Sequence, residues 1–374
     1  MTGKKRLKGL LLSAYDAGSH KYWRTGIEKG LNEISWEVLS LPARHFSWRI
    51  RGNPISFISQ HREVLSQTYD FMLVTSMVDL ATLKGIVPAL SGVPTIAYFH
   101  ENQFEYPKSE WQKSALDAQM VNLYTAMSAD SLVFNSEFNR QTFFEGCDQL
   151  MGKLPDFTIP DLSSVFRSKS TIIPVPITDQ TFVHSVAGYE RGSPIKILWN
   201  HRWEYDKGPD RLLLFLTQLK KNKISFEINI VGEKFRQVPS EFTQIKTMFS
   251  SEIRIFGYVA SREAYYALLS RCDVVLSTSI HEFQGVSVME AVAAGCIPLV
   301  PDRLSYKEYI DNKFCYQSDI DDPNKEAESA VNTLMGIVAQ PISKKSVSEM
   351  LQPYSWTKLL VQYRHAIEQV SNKK

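Results

Sequence analysis

The sequence lacks the cysteine patterns that mark a zinc site or a disulfide-stabilised fold. It has four cysteines in 374 residues, with no CxxC pair and no histidine close by: Cys147, Cys272, Cys296 and Cys315. Zinc sites draw Cys and His ligands from short spacings, and disulfide frameworks need several paired cysteines. We therefore expect reduced thiols and a cytoplasmic protein.

Long apolar runs are also missing. The most apolar later window, VSVMEAVAAGCIPLV, is interrupted by a glutamate, a glycine and a proline, and it falls short of the roughly 18 clean residues that a membrane span needs. Near the N-terminus, an apolar run after several basic residues stops at Asp16, too early for the apolar segment of a signal peptide. We interpret that run as the first strand and expect no membrane partner.

The whole chain lacks a large excess of either charge: 42 Lys or Arg stand against 40 Asp or Glu, and the formal net charge is +2. This balance excludes a polybasic protein. The first 60 residues nevertheless hold ten Lys or Arg against four Asp or Glu. That local excess indicates either an anionic partner or a solvated surface that keeps the protein soluble.

Short apolar runs alternate with longer stretches of helical period in both halves of the chain. This alternation predicts an α/β fold with parallel sheets covered by helices. We expect a first domain over residues 1–175, a Pro- and Gly-rich hinge at 176–194 and a second domain over 195–354. A last helix, at about 355–374, has an apolar face that either domain can cover. The predicted strands are KGLLLSAY, FMLVTSM, TIAYFH, SLVFNS, KILWNHR, FEINIVGE, IRIFGYV, DVVLSTS and IPLVPD.

The loop NHRWEYDKGPD follows a predicted strand and opens a helix. It places Arg202 and Lys207 before Gly208 at the helix entrance. Two cations at a helix N-terminus suit a phosphate group, because the free N–H groups and the helix dipole add to their charge. The alternative is a basic loop that forms surface ion pairs.

The loop HEFQGVSVME has the same position in the pattern but contains two carboxylates. Gly285 allows a close backbone approach, a helix is expected to begin at about Val286, and Glu282 and Glu290 lie on either side of that start. Carboxylates accept hydrogen bonds from vicinal hydroxyls. Together with the Arg/Lys loop, this predicts a site for a sugar nucleotide, which is anionic in the middle and rich in hydroxyls at both ends.

An E-x7-E pattern preceded by an R-x4-K-G loop resembles the family 4 retaining glycosyltransferases of the GT-B fold. Glu282 and Glu290 match the first pattern, and Arg202, Lys207 and Gly208 match the second. The resemblance implies two facing Rossmann-like domains with parallel sheets, a donor site mainly in the second domain, and a C-terminal helix that crosses back to the N-terminal domain. It also implies that no metal is required.

Several longer segments resemble one branch of these enzymes, the queuosine-tRNA mannosyltransferases. They are AGSHKYW, LPARHFSWRIRG, YFHENQFEYP, FNSEFNRQTF, WNHRWEYDKGP, HEFQGVSVMEAVAAGC and the stretch from KLPDF to PDL. The branch transfers mannose from GDP-mannose to the cyclopentenediol of queuosine in the anticodon loop of aspartate tRNA. The chain departs from the family at Ala17, where a glycine is frequent, and at Gln284, where phenylalanine is frequent and which lies beside the sugar.

The resemblance implies a role for each matching residue. Transfer proceeds with retention, and positive charge stabilises the departing diphosphate. Ser19 and His20 are expected in a first-domain loop near the acceptor. The catalytic set is Glu282, Arg202, Lys207 and His100, and the donor-binding set is Glu290, Gly285, Phe283, Gln284, Val286, Gly208 and Gly18.

The segment LPARHFSWRIRGN alternates cations with aromatic residues. Cations follow phosphates and aromatic faces stack on unpaired bases, so this composition suits a single-stranded RNA loop. The alternative is an edge strand with one packed face. With the resemblance, the predicted RNA-binding residues are Arg44, His45, Trp48, Arg49, Arg51 and Asn102.

Other functions fit parts of the sequence. A family 4 enzyme acting on a lipid-linked or polysaccharide acceptor would share the same donor loops, and a non-catalytic RNA- or nucleotide-binding module would share the fold. Asp319–Asp321 spell the DxD motif of metal-dependent transferases, but the pattern is short and looks like a loop that opens a helix.

Overall fold

The structure, a computed structural model, describes residues 6–105, 115–182, 193–234 and 237–372. The chain divides into two compact units: unit 1 is Met1–Pro176 with Trp356–Lys374, and unit 2 is Ile177–Ser355. Each unit is built on a parallel sheet, so the predicted α/β class is confirmed. Residues 183–192 of the predicted hinge lie outside the described residues, as do two of the basic residues near the N-terminus, Lys4 and Lys5.

Unit 1 contains a sheet of six described strands in the order β2-β1-β3-β4-β5-β6. Every neighbouring pair is parallel, and the helices make the connections that parallel strands require. The strands are β1 (Lys8–Asp16), β2 (Ser35–Pro42), β3 (Phe71–Thr75), β4 (Thr95–Phe99), β5 (Ser131–Phe134) and β6 (Ser170–Ile172). The helices are α1 (Gly18–Gly30), α2 (Phe46–Leu65), α3 (Leu80–Ile86), α4 (Pro88–Ser91), α5 (Ala115–Ser128), α6 (Glu137–Lys153) and α7 (Leu162–Arg167).

The central strands of unit 1 are the ones that the sequence pattern predicts best. All residues of β3 and β4 are buried, as expected for parallel strands covered on both faces. The edge strands β2 and β6 are partly exposed, carry weaker apolar runs and were not predicted. The alternative of an edge strand across LPARHFSWRIRGN is wrong, because β2 ends at Pro42 and the helix α2 begins at Phe46.

Unit 2 repeats the architecture, with described strands in the order β12-β11-β10-β7-β8-β9. The strands are β7 (Ile195–Trp199), β8 (Phe226–Val231), β9 (Ile253–Gly257), β10 (Val274–Leu276), β11 (Ile297–Pro301) and β12 (Cys315–Tyr316). The helices are α8 (Pro209–Lys221), α9 (Glu241–Met248), α10 (Arg262–Arg271), α11 (Val286–Ala293), α12 (Pro323–Val338) and α13 (Lys344–Glu349). Apart from β12, which is two residues long, these strands match the predicted segments.

The last helix, α14 (Trp356–Ser371), belongs to unit 1. The indole of Trp23 in α1 donates a hydrogen bond of 3.0 Å to the Tyr363 hydroxyl of α14. Gly26 gives room for the Trp356 ring, since a Cβ at that position would lie 1.9 Å from it. The prediction that the C-terminal helix returns to the N-terminal domain is therefore confirmed.

Within the described residues, no helix combines the length and the apolar character needed to cross a membrane.

The Asp319–Asp321 segment lies just before α12, whose N-cap is Asp322, and the Asp319 carboxylate pairs with Lys325 at 2.9 Å. Its carboxylates thus belong to the loop that opens this helix.

Gly208 closes the loop between β7 and α8. It is the N-cap of α8 with φ +64°, and a Cβ there would stand 2.1 Å from the Thr278 carbonyl oxygen. Both the left-handed conformation and the contact with the loop after β10 favour glycine. This residue therefore fixes how closely the two loops approach each other.

We expect Gly208→Ala to lower the free energy of unfolding by about 1–3 kcal/mol or more. A Cβ is unfavourable there because the backbone is left-handed and because it would collide with the Thr278 carbonyl oxygen. Gly336→Ala is a matched control in the same unit: it lies within α12 with no atom close to an added Cβ, and it should stabilise by about 0.5–1 kcal/mol. Calorimetry of both variants tests this. Equal effects of the same sign would contradict the assignment.

Candidate active site

The loops that hold the predicted donor residues lie next to each other because their strands are neighbours. β7 and β10 pair in parallel, with Val274 opposite Ile197, so the loops that follow them lie at the same edge of the sheet. In parallel α/β sheets this edge is where ligands bind. The backbone N–H groups of Ile280 and His281 donate to the Asp206 carbonyl at 2.9 and 3.1 Å and join the two loops directly.

Lys207 lies at the centre of this junction. Its Nζ donates to the His281 carbonyl at 2.8 Å and lies 3.1 Å from one carboxylate oxygen each of Asp206 and Glu282. Burial alone would lower the pKa of Lys207, but the two carboxylates raise it above its ordinary value. The structure thus brings Lys207 and Glu282, predicted from separate loops, into one ion pair.

The same network sets the state of Glu282. Burial alone would raise the pKa of this carboxyl, but the charges of Lys207, His201 and Arg202 lower it to about 2. Arg202 lies at the outside, 44% exposed, with its guanidinium 3.0 Å from Glu204 and 4.0 Å from Asp206. Glu282 is therefore ionised at neutral pH, and a partly exposed guanidinium stands beside it.

Glu290 occupies a different environment. It is buried in the second turn of α11, its carboxylate lies 3.9 Å from the guanidinium of Arg262, and it hydrogen-bonds Tyr265. Burial outweighs both contacts and raises the pKa of Glu290 to about 7. Asn200 supports the pair, donating to the Tyr265 hydroxyl at 3.0 Å and to the Ser287 carbonyl at 2.7 Å.

The residues between the two glutamates form the entrance to α11. Gly285 is the N-cap with φ +75°, and Val286 is the first residue of the helix, as predicted from the sequence. The ring of Phe283 meets that of His281 edge-on at 4.5 Å. The side chain of Gln284 is buried, with Nε2 3.3 Å from the Met289 sulfur. Its place beside the sugar stays a prediction.

A buried ion cluster supports the loop after β10. Arg303 donates to the Ser279 carbonyl through Nε at 3.1 Å and Nη2 at 2.8 Å, and it contacts both carboxylate oxygens of Glu326 at 2.8 and 2.9 Å. Arg211 lies 3.5 Å from the same carboxylate. Sequence reasoning missed these residues, since Arg303 and Glu326 are far apart in the chain and belong to no motif.

His201 is a second residue that the sequence reasoning missed, although it directly precedes Arg202. It is buried, and its Nε2 has no hydrogen-bond partner among the described residues. Burial and the charge of Lys207 lower the pKa of His201 to about 4. The imidazole is therefore neutral at physiological pH. Its adjacency to a predicted site residue was the only available signal.

In unit 1, His100 follows the end of β4 and stacks on His20, with ring centroids 4.2 Å apart. Its Nε2 is buried without a partner in the described part of the chain, and burial lowers the pKa of His100 well below its ordinary value. His20 Nδ1 lies 2.8 Å from the Tyr15 carbonyl. Gly18 and Ser19 are exposed in the first turn of α1. The prediction that Ser19 and His20 lie in a loop is therefore wrong. The structure thus brings His20 and His100 together at one sheet edge.

The predicted RNA-binding residues divide into exposed and buried ones. Arg44, His45 and Trp48 are exposed where α2 begins. The ring of Phe46 meets that of Tyr15 at 5.8 Å, which places this start beside the end of β1. We call Arg44, His45 and Trp48 the α2 patch.

Two arginines of the same segment face other protein groups. Arg51 is about half exposed and pairs with Asp79 at 3.1 Å. Arg49 is only 7% exposed and donates to the Ser56 hydroxyl at 3.1 Å. The prediction of RNA contact is therefore withdrawn for Arg49, because its guanidinium lies beneath the surface.

Asn102 also requires correction. Its amide is buried and donates to the backbone and side-chain oxygens of Asn139 at 3.1 and 2.9 Å and to the Thr142 hydroxyl at 2.9 Å. Its carbonyl oxygen accepts from the backbone N–H groups of Phe104 and Glu105, both at 3.0 Å. With its polar atoms satisfied internally, Asn102 shapes the loop after β4 and does not contact RNA.

No metal ligands were predicted from the sequence. Within the described ranges, no group of three or more His, Cys, Asp or Glu is arranged to hold a metal ion.

The sequence matches known families along most of its length. Residues 8–177 match the family described as tRNA-queuosine alpha-mannosyltransferase N-terminal, and residues 187–349 match the family described as glycosyl transferases group 1. A curated relative, the tRNA-queuosine alpha-mannosyltransferase of Drosophila melanogaster, is 31% identical over 318 residues, which are 83% of this chain and 83% of that protein.

Solved structures show the fold. Sucrose-phosphate synthase from Thermosynechococcus elongatus superposes with a TM-score of 0.73 at 14% identity, covering 99% of this chain and 100% of that one. Anabaena HepE in complex with UDP gives a TM-score of 0.68 at 14% identity, covering 97% and 100%. The predicted GT-B fold is confirmed by these neighbours.

The raised pKa of Glu290 has a measurable consequence. The pKa of Glu290 in the folded protein, about 7, lies above its ordinary value of 4.5. The stability that the protonated carboxyl contributes to the folded state is therefore fully present below pH 4.5 and is lost as the pH rises through 7. Glu290→Gln, neutral at every pH, should therefore stabilise the protein relative to wild type by about 1–3 kcal/mol near pH 8 and by little near pH 5.

Thermal unfolding of both proteins across this pH range provides the measurement. Glu328→Gln, on the exposed face of α12, serves as the control and should show no such trend. A gain from Glu290→Gln that stays constant with pH would refute the assigned environment.

Proposed function

Because the chain belongs to the tRNA-queuosine α-mannosyltransferases and is a glycosyltransferase, we propose that it transfers mannose from GDP-mannose to the cyclopentenediol of queuosine in the anticodon loop of tRNA(Asp). The donor nucleotide, the sugar and the tRNA species are the proposed parts of this statement. The observation that carries it is the meeting of Lys207 and Glu282 at 3.1 Å, which joins a phosphate-binding group and a hydroxyl-binding group in one site.

The donor side of the proposal rests on the charges of unit 2. Arg202 and Lys207 supply positive charge for the diphosphate, and the N-terminus of α8 opens directly after Gly208. Glu282, held ionised by its neighbours, accepts hydrogen bonds from sugar hydroxyls. Glu290, on the wall of α11, takes the ribose hydroxyls.

The acceptor side rests on unit 1. The α2 patch offers two cationic or titratable side chains and an exposed indole, and it lies beside the end of β1. One residue later the chain enters α1, whose first turn contains Gly18, Ser19 and His20. Phosphates and unpaired bases of an RNA loop suit this combination. His100 has a buried nitrogen without a protein partner in the described residues, which a substrate hydroxyl would satisfy.

The proposed reaction breaks the bond between the anomeric carbon and the diphosphate and forms one between that carbon and a queuosine hydroxyl oxygen. The hydroxyl attacks from the face that the diphosphate leaves, so the configuration is retained, and its proton passes to the departing phosphate oxygen. Lys207 and Arg202 lower the barrier by stabilising the charge that develops on this oxygen. No metal takes part in the proposed step.

The decisive experiment identifies the product. The protein is incubated with GDP-mannose, or with competing sugar nucleotides, and with total tRNA from cells with and without queuosine, in the presence of EDTA. Digested nucleosides are then weighed by mass spectrometry. We expect one hexose on queuosine, with GDP-mannose as the best donor and no loss of activity in EDTA.

Other outcomes have defined meanings. A hexose on a lipid or glycan fraction instead of queuosine would replace the acceptor assignment with that of the rival family 4 enzymes. Preference for another sugar nucleotide would overturn the donor, and activity lost in EDTA would overturn metal independence. Lys207→Met, which removes the buried ammonium, serves as the inactive control.

The α2 patch generates a separate prediction. Arg44→Glu combined with Trp48→Ala should raise the KM for tRNA about 10- to 100-fold, because one phosphate contact and one stacking contact are lost. The KM for the donor should stay within about twofold. The slope of log KM against log salt should fall by about 1.

Lys313→Glu, an exposed lysine of unit 2, is the matched control for charge reversal and should leave the tRNA KM unchanged. Steady-state kinetics at several salt concentrations provides the comparison. Equal losses for tRNA and donor would show that the patch acts through folding instead of RNA contact.

A further inference from the structure

The hydrogen bonds of Lys207 are fully used by protein groups in this structure. An ammonium group has three N–H donors. The three acceptors are the His281 carbonyl at 2.8 Å and the carboxylates of Asp206 and Glu282 at 3.1 Å each. A diphosphate oxygen that accepts a hydrogen bond from Lys207 must therefore replace one of these three acceptors.

Burial indicates which acceptor is replaced. The His281 carbonyl belongs to a backbone that is fixed by the bond from its own N–H to Asp206. The Asp206 side chain is 9% exposed, whereas the Glu282 side chain is 20% exposed. Glu282 is the more accessible of the two carboxylates. Its Oε2 faces Lys207, whereas its Oε1 accepts a hydrogen bond from the backbone N–H of Phe283 at 3.2 Å. The oxygen that would leave Lys207 is therefore not the one that holds the backbone.

We propose that Lys207 exchanges partners when the donor binds: a diphosphate oxygen takes the N–H that Glu282 holds, and the released Glu282 oxygen accepts hydrogen bonds from the sugar. This inference rests on the proposed function, because it assumes a sugar nucleotide at this site. It makes the ion pair a link between recognition of the diphosphate and recognition of the sugar.

The exchange assigns Asp206 a role as a positioning residue. Its carboxylate keeps its contact with Lys207, and its carbonyl holds the backbone of Ile280 and His281. The ammonium therefore stays in place while its third partner changes. Asp206 and Glu282 lie at the same distance from the Lys207 nitrogen. In the exchange, Asp206 keeps its contact with Lys207 and Glu282 gives its contact up.

A consequence follows for free nucleotide and intact donor. GDP has to displace Glu282 and offers that carboxylate no hydroxyl partner in return. A sugar nucleotide displaces it and supplies the hydroxyls, so the carboxylate is hydrogen-bonded before and after. The ion pair thus favours the intact donor over its product.

The test compares two neutralising variants by calorimetric titration with GDP. Glu282→Gln should bind GDP about 3- to 10-fold more tightly than wild type, because the competitor for Lys207 is weakened, whereas Asp206→Asn should bind it about 3- to 10-fold more weakly. GDP-mannose should lose its advantage over GDP in Glu282→Gln. A permanent ion pair predicts the same direction for both variants, and that result would overturn the exchange.

Glu204→Gln controls for the general loss of negative charge. The Glu204 carboxylate pairs with Arg202 at 3.0 Å. Glu204 contacts Lys207 through its backbone carbonyl, which accepts from the Lys207 N–H at 3.2 Å and which the substitution keeps. Its effect on GDP should therefore be smaller than that of Glu282→Gln. Equal effects would overturn the exchange. Thermal unfolding of each variant establishes that it is folded before titration.

A second measurement follows the carboxylate itself. The pKa of Glu282, which its cationic neighbours hold at about 2, should rise when GDP takes over Lys207. A pH titration of the 13C shift of its side-chain carboxyl carbon, assigned with Glu282→Gln, detects this change. An unchanged pKa in saturating GDP would contradict the exchange.

The experiment separates the two proposals. If wild type binds UDP instead of GDP, the donor assignment fails, and the same comparison with UDP still decides the exchange. If GDP binds and both variants shift its affinity in the same direction, the exchange fails and the proposed function stands. If no nucleoside diphosphate binds, both fail.

Discussion

The geometry of the candidate site depends on one buried cation. An ammonium removed from water is destabilising unless charges of opposite sign and further hydrogen-bond acceptors surround it. Lys207 finds them only where the loops after β7 and β10 meet, in Asp206 next to it and in Glu282 and the His281 carbonyl across from it. The need to satisfy this charge therefore holds the two loops together. Gly208 lets them approach closely enough, because its missing side chain leaves room for the Thr278 carbonyl.

Two glutamates of one motif acquire opposite acidities from their surroundings. Burial acts in the same direction on both, but Glu282 has Lys207 in direct contact, while Glu290 has Tyr265 and a more distant arginine. The pKa of the first falls to about 2 and that of the second rises to about 7. A permanently charged carboxylate is suited to hold sugar hydroxyls beside a cation. A carboxyl near its midpoint can donate as well as accept, which suits it to the hydroxyls of a ribose.

The sequence predicted the parts of the molecule in which local pattern and burial coincide. The fully buried β3 and β4, and the start of α11 at Val286, follow directly from apolar runs and a glycine. The edge strands β2 and β6 were missed because polar residues interrupt the apolar ones in SWEVLSLP and because STI is only three residues long. In the site, the motifs supplied Arg202, Lys207, Glu282 and Glu290. They did not supply the Arg303–Glu326 cluster, which forms only when distant segments of the chain meet.

The two withdrawn RNA-binding predictions have the same physical cause. Asn102 and Arg49 belong to segments that resemble the family strongly, yet both are buried and bonded to protein groups. A motif retains residues that contact substrate and residues that hold the contacting ones in place, and the letters alone do not separate them. For Asn102, a side chain with no exposed surface and with its polar atoms bonded to protein groups makes the distinction. Asn102 shapes the loop after β4, and next to it His100 keeps a ring nitrogen without a partner in the described residues. In α2, the interior position of Arg49 leaves the α2 patch and Arg51 as the exposed members of the predicted RNA-binding set.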